Sequence, residues 1–552
     1  MMEKMKTACF NLVDEPWLPV TLAENFPDAK SRGPLPRVSL REAFEHGDKI
    51  VDLRCYPHER IALMRLLIGV AQRALDGPED ENDWKKCKDR LASEAVAYLD
   101  KQKDCFNLLG NGPRFLQAAK LKPTKEDSKP VSMDKLSLVL AAGSTTTLFD
   151  NAGGQSRQLS HAELAMALVT FQVCSPGGLI GIANWNGVPT GKDKSSQHSV
   201  GARKSAVHGF LLGDSLIDTI HANLITKETF AAIAKSSEPW GYPVWEKPPV
   251  NSKDVASCSS YLGRQVPYAR TIWILEGCKD AWIANGLTYD FFPEGLREPS
   301  ITVVLQDDAP ATLRARSDKA LWRELHSIAS YGAANQNASG PITLKNALLL
   351  AQEWRLWTGA VLTTKDNDAK VIDCIESVFD LPVQFLEDAN AALVDDLRKS
   401  PGPNLIYREG VKLAEDRAKN LRGAVFIYHL RLADDFSKKQ NSARGKKVQN
   451  QVAMRFWTTL EQHAEQVLLR DVALNSSKYR PAERNWMALS PWGREVWKAA
   501  RDAYEFACPH NTPRQLRAYA AGLAVLTGEN RRKSASTIGA DDGNDSTEGD
   551  ES

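Results

Sequence analysis

Asp366-Asn367-Asp368 places two carboxylates two residues apart in this 552-residue chain. Such a pair could help hold a divalent cation if further ligands joined it from elsewhere. The same short polar residues serve equally well in a helix cap or a turn. The glycine-rich stretch SPGGLIGIANWNG, residues 175–187, has neither the GxGxxG nor the phosphate-loop spacing and follows no clear strand, so nucleotide binding by those modes is not expected. His-Glu-x-x-His and Gly-x-Ser-x-Gly are both absent, and the ten histidines are scattered. Nine cysteines run from Cys9 to Cys508 without a Cys-x-x-Cys pair, which reads as buried reduced thiols rather than a disulfide or zinc framework. No cofactor or metal is expected.

Net charge is +1, so the molecule as a whole does not advertise a polyanion partner. The charge is uneven, however. From Arg398 to Lys447 there are 13 Lys and Arg against 5 Asp and Glu, a segment able to neutralise phosphates or simply to form a solvated helix face. Lys438, Lys439, Lys446 and Lys447 close that segment.

The elements that must position these residues can be read in outline. At this length more than one packed unit is expected. The opening FNLVDEPWLPV, residues 10–20, reads as a first strand in which Leu12 and Val13 pair, Asp14 and Glu15 turn the chain, and Trp17 anchors it. Its apolar run ends too soon for a secretory signal. Ser39-Leu40-Arg41-Glu42 and Ser160-His161-Ala162-Glu163 are capping boxes, and Pro57 suits the first turn of a helix running to about Leu75. His161 is thereby a helix-start residue rather than a catalyst. Within that second helix, Arg65 and Arg73 argue against a membrane span. Residues 120–135 and 186–204 read as long loops, and residues 262–306 as a small sheet region.

After about residue 380 the strand signals vanish. Ala453, Phe456, Trp457, Leu460, Ala464, Val467 and Leu468 follow the 3.6-residue period, and Ser490-Pro491 and Thr512-Pro513 open two further helices. The expected fold is α+β: a large mixed N-terminal domain, 1–380, followed by a C-terminal antiparallel four-helix bundle, 381–528. A disordered acidic tail, 529–552, carries six acids and no base beyond residue 540.

Set in order, FNLVDEPWLPV, SLREAFEH, GPRFLQ (112–117), MDKL (133–136), TTTLFDNAGG (145–154), SPGG (175–178), NDAK (367–370) and FWTTLEQ (456–462) resemble the CasA family. That family supplies the large subunit of the type I-E CRISPR surveillance complex Cascade. The resemblance spans most of the chain. It implies a non-catalytic cytoplasmic protein whose partners are the other Cascade subunits, the guide RNA, double-stranded target DNA and a helicase-nuclease recruited after target binding. In such a complex base pairing reads the target while protein reads the flanking motif, the PAM.

Carried over by motif, Phe149, Asp150 and Asn151 fall in the loop that meets the guide's 5′ handle. Gly177 and Gly178 begin a glycine loop that approaches the minor groove, where the missing side chain lets backbone come close. Asn367, Asp368 and Ala369 match the wedge that parts the strands, with Lys365 and Lys370 flanking it. Asp368 stands where the family wedge carries glutamine, and the family's PAM-contacting lysine has no assignable counterpart. Two other readings of the residues stay open: a freestanding nuclease using Asp366 and Asp368 with a metal, and an adaptor whose basic bundle binds proteins.

Overall fold

In a computed structural model of the chain, the described residues are 9–125, 128–140, 158–177, 180–191, 199–233, 240–291, 297–307, 309–332, 339–350, 353–364, 370–388, 402–432, 443–475, 478 and 485–528. The chain divides into two compact units, Met1–Leu393 and Val394–Ser552.

The first unit mixes helices with small sheets of two or three strands, nearly all antiparallel, which gives the α+β class. It is organised around the helix Pro57–Ala74. Every residue from Ile61 to Gln72 in that helix is buried, so it lacks the polar face of a surface helix and is packed all round. The helices Glu81–Lys101 and His161–Cys174 lie against it. Both expected capping boxes form: the Ser39 hydroxyl accepts from the Glu42 amide, and the Ser160 hydroxyl from the Glu163 amide. His161 opens its helix, its ring set edge-on to Phe10 with centroids 5.3 Å apart.

The opening segment differs from the expectation in one respect. Its strand is Phe10–Asn11, paired with Asn107–Leu109, and Leu12 and Val13 form the turn after it. Their carbonyls are nonetheless used, because Leu40 and Arg41, the first residues of the helix Leu40–Glu45, donate their amides to Leu12 O and Val13 O at 3.1 Å. Helix-start amides have no partner within their own helix, so the turn supplies one. Trp17 is fully buried and donates Nε1–H to Leu12 O at 3.1 Å, which ties the turn down.

Two corrections concern strands. Within 120–135 lie short strands at Leu121–Pro123 and Val131–Ser132 and a tight turn at Met133–Leu136, so this stretch belongs partly to sheets. More important is a long hairpin, Glu353–Thr363 with Val371–Pro382, which joins His208–Leu212 in a three-stranded sheet. The first unit therefore carries strand structure past residue 380. Val371–Pro382 alternates between faces, whereas Trp354 and Leu356–Leu362 are buried on both, which hides the period of two that marks a half-buried strand.

The second unit is helical: Pro403–Leu432, Ala443–His463, Trp486–Leu489, Pro491–Ala507 and Pro513–Thr527. Ala443–His463 continues through Ala464–Ala473 with wider winding, seen where Leu474 N–H reaches back five residues to Leu469 O at 3.0 Å. Phe456, Leu460, Ala464 and Leu468 are buried, while Trp457 and Val467 sit at the margin of that face. Trp492 Nε1–H donates to Gly410 O at 2.9 Å, and a Cβ at Gly410 would lie 2.2 Å from Leu468 Cδ1, so glycine there permits close helix approach. The tail 529–552 lies outside the described residues. No helix among the described residues is long and apolar enough to cross a membrane.

Two buried histidines give the first unit a pH dependence of calculable sign. Burial lowers His208 to about 3 and His58 to about 4, from 6.5. Below 6.5 the unfolded chain takes up protons that the folded chain refuses, so stability falls as pH falls. Between pH 7 and pH 5 the expected loss is about 4 kcal/mol for the pair. Urea unfolding of the chain at pH 7, 6 and 5 measures it, and His58→Gln should remove about half of the slope.

Candidate nucleic-acid interface

Of the sequence-predicted residues, Gly177, Lys370 and Lys447 are described. Phe149, Asp150, Asn151, Gly178, Lys365, Asn367, Asp368, Ala369, Lys438 and Lys439 lie outside the described residues, as does the side chain of Lys446. Lys447 is exposed on the helix Ala443–His463 of the second unit. Gly177 and Lys370 belong to the first unit, and the scaffold around each can be built up residue by residue.

Ser175-Pro176-Gly177 leaves the end of the helix His161–Cys174 and is held by a fully buried arginine. Arg270, on the strand Arg270–Ile274, donates from Nη2 to Pro176 O at 2.7 Å and from Nη1 to Asn285 Oδ1 on the paired strand. Asn285 in turn donates Nδ2–H to Gly191 O at 3.2 Å. Gln172, one turn before the glycines, donates to Arg270 O at 2.8 Å and accepts from Arg270 N at 2.9 Å. The turn at Gly177 and the residues near Gly191 are thus fastened to one hairpin by one guanidinium. The same charge reaches Lys135 of the MDKL turn, an exposed side chain whose ammonium is held below its usual pKa first by desolvation against packed protein and then by Arg270.

Lys370 is exposed and closes the turn end of the long hairpin: Thr364 N–H donates to Lys370 O at 3.0 Å, and Lys370 N–H to Thr364 Oγ1 at 3.3 Å. Residues 365–369, which connect these two, are those that the sequence likens to the wedge.

His58, at the start of the helix Pro57–Ala74, brings the two regions together. Its carbonyl accepts from Cys174 Sγ at 3.6 Å, immediately before the glycine turn, and its Nδ1 lies 3.5 Å from Cys374 Sγ on the second hairpin strand. Burial pushes the Cys374 thiol up to about 12 and His58 down to about 4, so all three groups are neutral at pH 7. This is packing chemistry and not an activated thiolate. Residues 199–205 make a second link, with Ser199 Oγ and Gly201 N both donating to Val173 O, at 2.8 and 2.7 Å.

A cleft of about 550 Å³ lies nearby between Pro36, Arg37, Tyr56, Leu138 and Met166. Its Arg37 and Arg54 are balanced by Glu59 and Glu163, so it offers a polyanion no net attraction. Among the described residues no group of three or more His, Cys, Asp or Glu could hold a metal ion. Asp366 and Asp368 are not among them.

Reading the sequence found the glycine turn and the hairpin lysine but missed Arg270, Asn285, Gln172 and His58, which position them. A buried arginine carries no local mark, and its partners are about 94 and 15 residues away.

The family profile described as CRISPR-associated protein Cse1 matches residues 11–503. A protein of Thermus thermophilus described as CRISPR-associated protein CasA/Cse1 is 28% identical over 410 residues, covering 68% of this chain and 72% of its own. The crystal structure of a Cse1 from Acidimicrobium ferrooxidans superposes with a TM-score of 0.69 at 20% identity, covering 95% of this chain and 98% of that one. A chain of a structure described as a CRISPR RNA-guided surveillance complex superposes at 0.65 with 15% identity, covering 94% and 99%. At these identities the superpositions establish a shared fold.

Arg270→Met keeps the bulk but removes the bonds that fasten the glycine turn. Hydrogen exchange across residues 175–191 should quicken at least tenfold, which corresponds to about 1.4 kcal/mol of lost local stability, while exchange in Pro403–Leu432 stays unchanged.

Proposed function

The chain belongs to the CRISPR-associated protein Cse1 family, and on that premise we propose that it is the non-catalytic large subunit of a type I-E Cascade complex. In this reading it contacts the guide RNA 5′ handle through Phe149, Asp150 and Asn151, recognises the PAM in duplex DNA, promotes strand opening and offers a docking surface to the helicase-nuclease. The observation that carries the reading is the common support, through His58, of the glycine turn at Gly177 and the hairpin closed by Lys370.

The division of labour follows from size and charge. A glycine turn lets backbone enter a minor groove about 6 Å wide, where bulkier segments are excluded. A hairpin end is suited to separating a base step, which costs DNA a few kcal/mol of unstacking. Arg270 and Lys135 add positive potential where a phosphate backbone would pass. Gly178, Asn367, Asp368 and Ala369 complete these two parts, with Lys365 and Lys370 flanking the wedge. In the second unit, Lys438, Lys439, Lys446 and Lys447 supply positive charge for phosphates in this reading.

Reconstituting the complex with and without this chain tests the reading. Target duplex should bind in a PAM-dependent way only when the chain is present, and equal binding without it would refute the proposal. Lys370→Ala should weaken binding at every PAM sequence alike and flatten the dependence of log affinity on log salt by about 0.9. Cleavage of DNA by the purified chain with magnesium or manganese, abolished by Asp366→Ala, would instead favour the nuclease reading.

A further inference from the structure

The turn end of the long hairpin is fastened at a strained point in the chain. Lys204 and Ser205 are consecutive non-glycine residues in the left-handed backbone region, with φ of 56° and 48°. That region is sparsely populated by such residues and persists where surrounding bonds enforce it. Here the bonds are evident. Ala315 N–H donates to Ser205 O at 2.8 Å, and Ser205 N–H donates to Ala202 O at 3.2 Å. Thr363 N–H donates to Ser205 Oγ at 2.9 Å, and the Ser205 and Thr363 hydroxyl oxygens are 3.1 Å apart. Ser205 and Thr363 are both buried.

The hairpin register slips at this level. Leu362 faces Asp373 and Thr363 faces Val371, so Ile372 is the extra residue of a bulge. A bulge disrupts the ladder and redirects the strands beyond it. The amide of Thr363, at the edge of the disruption, bonds to Ser205, and the direction in which Thr364 and Lys370 leave the sheet is fixed from outside the hairpin.

We propose that Ser205 is a positioning residue for duplex opening: its hydroxyl pins the bulged turn end of the hairpin 353–382, where the last strand pair precedes the closing residues, and so fixes how that end meets the DNA. The strained turn keeps the hydroxyl in place, and Lys204 beside it in the chain is an exposed cation. The inference rests on the reading of this hairpin as the strand-parting element. It adds that the aim of the hairpin is set by the residues following the glycine turn, through Gly201 and Ser199 on Val173. The two DNA-facing parts are thereby adjusted as one.

The test uses the assembled complex and two target DNAs, one fully paired and one already unpaired at the first positions beside the PAM. Ser205→Ala removes both bonds and should weaken binding to the paired target about tenfold. Thr363→Val removes only the hydroxyl contact and should cost about threefold, and Thr363→Ser should restore binding. The double variant should be no weaker than Ser205→Ala, because both changes remove one junction. On the pre-opened target every variant should bind within about twofold of the unaltered complex. Equal losses on both targets would mean that Ser205 merely supports the fold and would overturn the inference, as would no loss on either. If leaving out the whole chain changes binding to neither target, the functional reading itself has failed, a result distinct from an unresponsive Ser205.

Discussion

A single carboxylate between two guanidiniums holds the first unit together. Glu298 accepts from Arg65 on the central helix and from Arg264 Nη2 at 2.9 Å, and all three side chains are buried. Arg65 also donates to Gln265 O at 2.8 Å and Ser300 Oγ at 2.9 Å, and Arg264 to Cys258 O at 2.6 Å. Desolvation acts to raise the Glu298 pKa, and the two arginine charges overcome it, so the acid stays ionised below its usual range. Taking these charges out of water costs several kcal/mol per ion, so an apolar trio of equal volume could be as stable. What the triad supplies is register. Its geometry is satisfied only when residues 258–300 sit at one place against Pro57–Ala74, and Arg270, Asn285 and the glycine turn take their positions from that placement.

The same stretch explains why the first unit needs no large sheet. Its sheets are small, but the chain between them is crossed by long-range side-chain bonds to backbone: Gln172 to Arg270, Arg297 to Gly340, Asn346 to Ala222 and Leu224. Each satisfies carbonyls that a larger sheet would have paired. Irregular chain can then be packed inside the unit, and segments such as 175–177 can stand on rigid supports.

What the sequence made legible was local. Capping boxes at Ser39 and Ser160 and the proline starts at Pro57, Pro491 and Pro513 appear at the expected residues, because a cap depends on neighbours three positions apart. The hairpin 353–382 was not read as strands, since its first arm is buried on both faces and its hydrophobic run has no period. Arg65 served in the sequence only to argue against a membrane span, and its role depends on Glu298, 233 residues away. Ordered motifs carried the family resemblance, and the profile match over residues 11–503 agrees with it. Of the site, Gly177 and Lys370 were legible as motif positions, while Arg270, Asn285, His58 and Ser205 were not. Their signal is a contact, and one sequence does not display contacts.

Charge in the hairpin end sharpens what those supports must do. Thr364-Lys365-Asp366-Asn367-Asp368-Ala369-Lys370 contains two lysines and two aspartates, so it is neutral overall. On the proposed reading, phosphate repels Asp368 where a glutamine would be indifferent, and Lys365 and Lys370 offset the charge of Asp366 and Asp368. On the proposed reading Lys370 keeps its phosphate contact against that repulsion, and the exposed Lys135 and Lys204 are further cations of the described scaffold. An end of no net charge then leaves its selectivity, on that reading, to hydrogen bonds with base edges rather than to bulk attraction.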